Sequence, residues 1–486
     1  MKPDAATFAR DAARAVNDTV LRGNLNHALG QIREKRHAAM AALTDSEDLQ
    51  QIGSAIKQES LARLPELLEQ LEENLTRRGI QVHWAENAAE ANAAVLAIAQ
   101  RRGVKLAVKG KTMVSEETEL NEHLQAHGIE VVETDLGEYI VQLAEQRPSH
   151  IIAPAIHMNR QEIGDLFHDK LGEAHTVDVQ AMTAMARRVL REKFQQADMG
   201  ITGVNFAVAE TGTLCLVENE GNGRMSTTVP PVHVAMMGLE KVIANLSDLP
   251  TLLRLLTRSA TGQVISTYVN WIASPRRPGE QDGPEEVHVI ILDNGRSAIY
   301  GDGELRDTLN CVRCAACLNI CPVYNRIGGH AYGSIYSGPI GKILTPQMAG
   351  LGAAGHLAGA STLCGACFEV CPVKIPIPDL LLRLRQEANA PSAAGRAVFG
   401  AQAGAMRSGT EAMVWKGWQV LHNSPAAYRA MTRLVALAAA IGPREGRRSL
   451  WDHVPLKALR AWRRTRWLPR PAERSLHRLL RGRPNA

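Results

Sequence analysis

The chain of 486 residues lacks the long apolar runs that mark exported and membrane-spanning proteins. Near the N-terminus, Asp4, Arg10, Asp11 and Arg14 interrupt every apolar stretch, so the apolar core of a secretory signal is missing. The longest apolar stretch of the later half, residues 434–441, is far shorter than the roughly 20 residues that a membrane span needs. We therefore expect a cytoplasmic, reducing setting, where clustered cysteines more often hold metal or carry out redox chemistry than form disulfides.

The sequence also lacks a complete nucleotide-binding fingerprint. Residues 350–355 match the GxGxxG spacing, but no predicted strand precedes them, and Cys364 follows too closely to leave room for a βαβ unit. Residues 110–112 resemble the end of a P-loop, yet Lys105 stands where that motif requires its first glycine. We therefore recognise no NAD or flavin site and expect no nucleoside-triphosphatase.

The composition is that of an ordinary globular protein, with 45% hydrophobic and 22% charged residues. At about 150 residues per domain, the length favours about three domains. The net charge of +5 hides a split, because residues 444–486 contain 13 Lys and Arg against 3 Asp and Glu. A tail of net charge +10 therefore follows a body of net charge −5.

The periodicity of apolar residues predicts four regions along the chain. Residues 1–70 have helical periodicity and form a helical lead-in. Between residues 70 and 300, strand-length apolar runs alternate with helix-length amphipathic stretches, which predicts a mostly parallel sheet covered by helices. Within this region, residues 200–223 are predicted to form two strands with tight turns. Residues 305–382 hold the clustered cysteines, and residues 385–486 are predicted to be helical. The isolated Cys215 falls in a predicted strand, where a buried core cysteine is expected.

Seven of the eight cysteines fall within 61 residues. The first run contains Cys311, Cys314, Cys317 and Cys321, separated by two, two and three residues and followed by Pro322. This is the bacterial ferredoxin spacing, in which three cysteines wrap one 4Fe-4S cluster and the fourth binds the other cluster of a pair. A zinc site normally uses two separated Cys-x2-Cys pairs or combines Cys with His, so zinc fits this run poorly.

The second run is one cysteine short. Cys364, Cys367 and Cys371, followed by Pro372, match the second, third and fourth positions of the same motif, and the first position falls on Ser361. The crossover rule then divides the ligands between two clusters. Cluster 1 takes Cys311, Cys314, Cys317 and Cys371, whereas cluster 2 takes Cys321, Cys364 and Cys367.

One iron of cluster 2 is left without a cysteine. Ser361, water or a ligand from a partner could complete its coordination, or the iron could be lost to leave a three-iron cluster. We favour a 4Fe-4S cluster with one non-cysteine ligand, so the sequence predicts two iron–sulfur clusters. In the long segment between the runs, Ser334, Tyr336 and Lys342 could hydrogen-bond cluster sulfur or meet a redox partner, and packing of the loop and its helices is the other role open to them.

Polar residues gather in the α/β region where the predicted strands end. Ligand crevices in open α/β sheets form outside the carboxyl ends of the strands, so these residues are candidates for a site. The catalytic candidates are Lys109, Lys111, Glu210 and Arg224. Further polar residues at such positions are Thr112, Ser115, Glu133, Asp135, Thr211, Thr213, Glu218 and Asn219.

Several segments together resemble one known family. They are KGKTMVSEE, AETGT and VENEGNGR of the α/β region, the first cysteine run, the GGHAYG to GPIGKILTP linker and CGACFEVCPVKIP. The family is lactate utilization protein B, the iron–sulfur subunit of a bacterial three-protein system that oxidises L-lactate to pyruvate. The resemblance implies an α/β domain of the sugar-phosphate isomerase and CoA-transferase type, with helices on both faces of its sheet. It also implies a helical ferredoxin-like domain similar to that of heterodisulfide and succinate-type reductases.

The resemblance to this family implies the substrate and the partners, whereas the spacing of the cysteines alone predicts only the clusters. It implies an electron-transfer component of an L-lactate-oxidising complex, with two other subunits and an unidentified electron acceptor. A rival hypothesis is that the α/β domain itself oxidises a 2-hydroxy acid. In it, Lys109, Lys111 or Arg224 would hold the carboxylate, and a glutamate would be the base. A third hypothesis is a scaffold whose clusters are structural.

The C-terminal tail contains a predicted basic amphipathic helix. Its apolar face carries Leu456, Leu459 and Trp462, among the basic residues Lys457, Arg460, Arg463, Arg464 and Arg466. Such helices dock on acidic partners or on anionic membrane surfaces, so peripheral contact with the inner face of the membrane is one role open to the tail. An ordinary solvated helix is the other. No nucleic-acid-binding module accompanies the charge, so no nucleic acid is expected.

Overall fold

The computed structural model describes residues 3–404 and 408–440. The chain divides into two compact units, Met1–Met406 and Arg407–Ala486. The basic amphipathic segment predicted within residues 444–486 lies outside the described residues. No described helix is both long enough and apolar enough to span a membrane.

Four helices precede the first strand, as the periodicity of residues 1–70 predicts. They are α1 (Ala5–Asn17), α2 (Thr19–Ala41), α3 (Ser46–Ala62) and α4 (Leu64–Arg77). The carboxylates of Asp4 and Asp18 cap the first two helices by accepting backbone N–H groups of their first turns. In α4, leucines spaced three and four residues apart form one buried face, which is why this helix packs on the protein core.

The α/β region contains ten strands. They are β1 (Gln81–Ala85), β2 (Leu106–Lys109), β3 (Glu130–Glu133), β4 (Met199–Gly203), β5 (Phe206–Val208), β6 (Thr213–Glu218), β7 (Val232–Gly238), β8 (Val242–Ile243), β9 (Tyr268–Ile272) and β10 (Glu286–Leu292). Its helices are α5 (Ala88–Arg101), α6 (Met113–Thr118), α7 (Leu120–Ala126), α8 (Leu136–Leu143), α9 (Arg160–Leu171), α10 (Val179–Gln196), α11 (Asn222–Thr228), α12 (Leu249–Thr261) and α13 (Arg296–Gly301). Short 3-10 turns cover Leu239–Lys241 and Leu246–Asp248.

Six of these strands form one parallel sheet in the order β1-β10-β7-β4-β2-β3. Side chains of a strand alternate between the two faces of a sheet. On β2, Ala107 packs in one core cluster with α5 and α7, whereas Leu106 and Val108 pack in another with α8 and α10. Helices therefore cover both faces of the sheet, and the predicted parallel α/β architecture is confirmed.

A second sheet has the order β8-β5-β6-β9. The sequence predicts two strands between residues 200 and 223, but the structure forms three, so this prediction is wrong. The chain leaves the parallel sheet at Asn205, whose backbone N–H donates to the Cys215 carbonyl and whose side chain accepts from the Val217 N–H at 2.9 Å. Asn205 thereby divides one apolar run of the sequence into the two strands β4 and β5. The periodicity of apolar residues does not reveal this hydrogen bond. Cys215 is fully buried in β6, as expected.

The region of the clustered cysteines is helical. Its helices are α14 (Ala316–Ile320), α15 (Tyr324–Ile327), α16 (Gly338–Ala349), α17 (Leu351–Ala354), α18 (His356–Gly359), α19 (Ala366–Glu369), α20 (Ile377–Asn389) and α21 (Ala393–Phe399), with 3-10 turns at Leu305–Asn310, His330–Tyr332 and Gly400–Gln402. The second unit contains α22 (Gly409–Asn423) and α23 (Pro425–Ala440). Leu25 and Leu29 of α2, Cys215 of the second sheet and Cys314 belong to one hydrophobic core. The lead-in, the second sheet and the cysteine region are thus packed together.

Candidate functional site

Four cysteines from the two distant runs line one small cavity. They are Cys311, Cys314, Cys317 and Cys371. Its other walls are mainly aliphatic, with Val312, Ile340 and Ile375 among them. The cavity therefore groups the last cysteine of the second run with the first three of the first run, which is the grouping that the crossover spacing predicts.

A second cavity groups the remaining three cysteines. They are Cys321, Cys364 and Cys367. Ser361 and Thr362 also line this cavity, and the Ser361 hydroxyl accepts a hydrogen bond from the Leu363 N–H at 3.2 Å. Ser361 is thus in the position that the sequence predicts, whereas Thr362 is a second hydroxyl that the spacing does not single out. Within residues 3–404 and 408–440, no three His, Cys, Asp or Glu side chains meet closely enough to hold a single metal ion.

Left-handed backbone conformations shape the two cysteine loops alike. Arg313 and Ala315 flank Cys314 with φ of 60° and 61°, and the residues on either side of Cys364 have φ of 53° and 84°. Such values are uncommon for residues other than glycine. Their repetition shows that Cys364 corresponds to the second cysteine of the first run. The position three residues earlier, a cysteine in the first run, is then Ser361 in the second.

The chemistry of these thiols fits a group that binds thiolates. Burial raises the pKa of Cys314 to about 12 and that of Cys371 to about 11, so the thiolates need a bound cation to form there. Iron supplies that charge, because a coordinating thiol is deprotonated. Backbone N–H groups point at three of the sulfurs: Arg313 at Cys311 (3.4 Å), Tyr324 at Cys321 (3.5 Å) and Ile375 at Cys371 (3.3 Å).

One buried lysine contacts the second set of sulfurs. The Lys342 side chain is 1% exposed, and its Nζ lies 3.4 Å from Cys321 Sγ. Of the three residues predicted to approach sulfur, the structure places only this one there. The Tyr336 hydroxyl donates to Glu117 at 2.7 Å, and the Ser334 hydroxyl pairs with another side chain.

A third cavity, of about 280 Å³, opens at the carboxyl ends of β2, β4 and β7. This is the crevice position predicted for an open α/β sheet. Five of the sequence candidates line it, namely Lys111, Thr112, Asp135, Glu218 and Asn219. Lys111 Nζ is buried without a hydrogen bond, 3.9 Å from Glu138 Oε1.

The structure places the other three catalytic candidates outside this cavity. Lys109 is buried beneath it, with Nζ 2.8 Å from both Glu116 Oε1 and Glu133 Oε1. Burial alone would lower the pKa of Lys109, but these carboxylates outweigh burial and raise it. Its charge is therefore already paired, so the predicted role of Lys109 in holding a substrate carboxylate is corrected to a structural one.

The side chains of Glu210 and Arg224 are also directed elsewhere. Glu210 Oε2 accepts from the Leu246 N–H at 2.9 Å. Arg224 is exposed in α11 and lines a different surface depression, beside Tyr268. Neither Glu210 nor Arg224 lines the third cavity.

Three charged residues that the sequence did not single out, Glu240, Lys241 and Arg313, line the third cavity, and Arg296 contacts Glu240 from outside the lining. Arg296 binds Glu117 through Nη2 at 2.8 Å and Glu240 through Nε at 2.7 Å. Arg313 lies 4.5 Å above the Tyr336 ring, with Nη2 3.3 Å from Glu240. Lys241 is 7% exposed. Only Arg313 carried a usable signal in the sequence, since it lies between two cysteines.

Further carboxylates line the third cavity. They are Asp135, Glu218 and Glu220, and Glu220 Oε2 accepts from the Leu136 N–H at 3.0 Å. Burial, followed by the neighbouring Asp135 carboxylate, raises the pKa of Glu220 to about 7. The lining of the cavity therefore carries both signs of charge, with the cations Lys111, Lys241 and Arg313 and the carboxylates Asp135, Glu218, Glu220 and Glu240.

Comparison with known proteins identifies the family. The model of the LUD domain matches residues 68–292, and that of the 4Fe-4S dicluster domain matches residues 307–375. The model of the lactate utilisation protein B C-terminal region matches residues 383–484. Lactate utilization protein B of Bacillus pumilus (strain SAFR-032) is 45% identical over 399 residues, covering 81% of this chain and 84% of that protein. The chain belongs to the lactate utilization protein B family.

Another member of the family, from Bacillus subtilis (strain 168), is 45% identical over 387 residues, covering 79% of this chain and 81% of that protein. A solved DUF162 family protein from Deinococcus radiodurans aligns with a TM-score of 0.27 and 15% identity, covering 47% of this chain and 98% of that protein. Membership confirms the family predicted from the motifs, and with it the iron–sulfur, metal-binding and lactate-utilization assignments. All seven cysteines of the two cavities lie within the matched 4Fe-4S dicluster domain.

Proposed function

We propose that this chain is the iron–sulfur electron-transfer subunit of a bacterial system that oxidises L-lactate to pyruvate. The observation that carries the proposal is the sorting of seven cysteines around two adjacent cavities, four at one and three at the other. The family name of its relatives supplies the link to lactate. In this role the chain works with two other subunits and passes electrons to an acceptor that its sequence does not identify.

The proposed ligands of cluster 1 are Cys311, Cys314, Cys317 and Cys371. Those of cluster 2 are Cys321, Cys364 and Cys367, with Ser361 as the candidate fourth ligand. When bound, each cluster accepts and donates one electron at a time. Oxidation of lactate releases two electrons, so two neighbouring clusters can take up the pair.

The short helix α14 supports electron transfer between the clusters. It separates Cys317 of cluster 1 from Cys321 of cluster 2 by four residues, or roughly 6 Å at a rise of about 1.5 Å per residue. Cys364 is exposed, whereas Cys314 and Cys371 are buried. Cluster 2 is therefore the one nearer the surface and suited to exchange electrons with a partner, and cluster 1 is the inner one.

The chain's own residues give the two clusters different surroundings. Lys342 places a positive charge against Cys321, and the backbone N–H of Ala366, followed by the Thr362 hydroxyl, lowers the pKa of the Cys364 thiol. Both interactions favour negative charge on the ligands of cluster 2. A hydroxyl or water in place of the fourth thiolate of cluster 2 further separates the properties of cluster 2 from those of cluster 1.

The remaining parts of the proposal concern architecture and location. We propose domains at residues 70–300 and 305–382, flanked by a lead-in at residues 1–70 and a helical region at residues 385–486. The α/β domain is proposed to be of the sugar-phosphate isomerase and CoA-transferase type. The chain is proposed to act in the cytoplasm, with its basic tail free to contact an acidic partner or the inner face of the membrane.

The test is anaerobic purification of the chain with the proteins that accompany it, followed by EPR spectroscopy before and after addition of L-lactate. We expect iron and sulfide for two clusters and reduction of both when the partners are present. Clusters that stay oxidised with lactate and partners present would refute the electron-transfer role. The isolated chain is the control: reduction by lactate without partners would favour the rival in which the α/β domain oxidises the hydroxy acid. A chain whose clusters show no accessible redox couple would favour the scaffold.

A further inference from the structure

Helix α22 of the second unit is apolar and exposed. None of its 15 residues, all of which the structure describes, is buried. Six of them are large apolar residues that stay well exposed, and we call them the α22 surface: Met413, Val414, Trp415, Trp418, Val420 and Leu421. A helix with so much apolar surface is normally buried in a protein core or in a membrane. The α22 surface is therefore an interaction site rather than ordinary solvated surface.

Two tryptophans form the centre of this surface. Trp415 is 56% exposed and Trp418 is 53% exposed. The Trp415 Nε1–H donates to Glu411 Oε1 at 3.4 Å, and the His422 ring stacks on Trp418 with 3.8 Å between the ring centroids. Neighbours within α22 thus hold both indoles, while more than half of each residue remains available to a partner.

The apolar residues of α22 do not share a single face. Val414, Trp418 and Leu421 are spaced by four and three residues and lie on one side of the helix. Five residues turn a helix by about 140°, so Val420 lies on a different side from Trp415. A flat protein partner covers one face of a helix, whereas lipid can surround several. The distribution therefore favours a lipid phase.

The charge of the second unit favours an anionic surface. Residues 407–486 contain 17 Lys and Arg against 4 Asp and Glu, whereas residues 1–406 have a net charge of −8. Within the described part of this unit, Lys416, Arg429 and Arg433 are exposed and Glu411 is the one acidic residue of 408–440. Two such units repel each other, so the charge disfavours a second copy of the chain as the partner.

Tryptophan is concentrated in the same unit. Five of the seven tryptophans lie in residues 407–486, which are only about a sixth of the chain: Trp415, Trp418, Trp451, Trp462 and Trp467. Tryptophan is enriched at membrane–water interfaces, because its ring is apolar and its N–H is polar. The cytoplasmic leaflet of a membrane is anionic and attracts Lys and Arg. An apolar anchor and a basic patch are together the two signals that stable peripheral binding takes.

We propose that the second unit binds the surface of an anionic lipid bilayer, with the α22 surface inserted at the interface and the basic residues of 407–486 against the headgroups. The proposal rests on the cytoplasmic location in the proposed function, and it chooses the membrane over an acidic protein partner. It does not rest on the cluster assignments.

The test uses the full chain, purified anaerobically with both clusters, in flotation with phosphatidylcholine vesicles that contain or lack phosphatidylglycerol. We expect at least about tenfold tighter binding when phosphatidylglycerol is present, because each Lys or Arg near the surface adds to the attraction. Raising the salt concentration should weaken this binding.

A double variant tests the role of the α22 surface. Trp415→Ala with Trp418→Ala should weaken binding at least about tenfold, since it removes most of the apolar area of two indoles. Trp415→Phe with Trp418→Phe should restore binding in part. The matched control is Trp84→Ala with Trp271→Ala, which removes two exposed indoles from the first unit and should bind like the unaltered chain. Iron content and the thermal midpoint show whether each variant has folded.

Four results would overturn the proposal. They are no flotation with anionic vesicles, equal binding to vesicles without phosphatidylglycerol, binding unchanged by the double alanine variant, and a dimer in light scattering that this variant dissolves. Subunits that copurify only with an intact α22 surface, without any vesicle binding, would assign this surface to a protein partner instead. Reduction of the clusters by lactate in a chain that binds no vesicles would overturn this proposal alone. Vesicle binding by a chain whose clusters stay oxidised would overturn only the electron-transfer role.

Discussion

Lys342 is predicted to raise the reduction potential of cluster 2. Its ammonium lies 3.4 Å from Cys321 Sγ and is shielded from solvent. An electron added to the cluster is spread over its atoms, about 6 Å from that charge, so at an effective dielectric constant of about 20 the attraction is about 3 kcal/mol. Since 1.36 kcal/mol is a factor of ten and a factor of ten is about 59 mV for one electron, the contribution is about 120 mV.

The substitution Lys342→Met keeps most of the side-chain volume and removes the charge. We expect the midpoint potential of cluster 2 to fall by about 120 mV in an EPR-monitored redox titration, while the potential of cluster 1 changes much less. Lys193→Met is the matched control, because Lys193 lies at the surface in an ion pair with Glu130. A fall of less than about 30 mV, or an equal fall in both clusters, would refute the argument that this contact tunes cluster 2.

Three further predictions concern single side chains. Ser361→Cys supplies the eighth thiol, so we expect cluster 2 to gain resistance to iron loss in air and to change its EPR signal; an unchanged signal and loss rate would exclude position 361 as the ligand site. Lys109→Met leaves Glu116 and Glu133 unpaired, so we expect a loss of about 3–5 kcal/mol of stability and a lower thermal midpoint than for the surface variant Lys170→Met. In the folded chain the pKa of Glu220 is raised to about 7, because burial favours the protonated carboxyl. Protonated Glu220 therefore favours the folded state, and this contribution to the free energy of unfolding is full below about pH 4.5 and is lost as the pH rises through 7. Glu220→Gln should therefore raise the thermal midpoint at pH 8 more than at pH 5, and an equal change at both would contradict this account.

Local patterns in the sequence predict the elements of the fold but not their spatial order. The alternation of apolar runs with helix-length stretches predicts the parallel sheet, because most of its strands are buried on both faces and helices connect several of them. The break at Asn205 escapes prediction, since it depends on a hydrogen bond to a strand twelve residues later. The order β1-β10-β7-β4-β2-β3 depends on contacts across 200 residues, which no short pattern contains.

The candidate sites differ in the same way. The cysteine spacing predicts how the thiols are grouped, because short spacers fix which sulfurs one loop can bring together. In the third cavity, Lys111 was predicted from its position after a strand, whereas Lys241 escaped prediction because it belongs to no motif. Lys109 was misassigned because a lysine at the end of a strand looks the same in the sequence whether it faces a cavity or two buried carboxylates.

The crossing of ligands between the two cysteine runs is the central claim, and paired serine variants test it most directly. Cys371→Ser removes a proposed ligand of cluster 1, although it lies in the second run, and Cys367→Ser removes one of cluster 2. EPR spectra of both variants, prepared anaerobically, should show the signal of cluster 1 altered only by Cys371→Ser and that of cluster 2 altered only by Cys367→Ser. If both substitutions alter the same cluster, the crossed assignment is wrong.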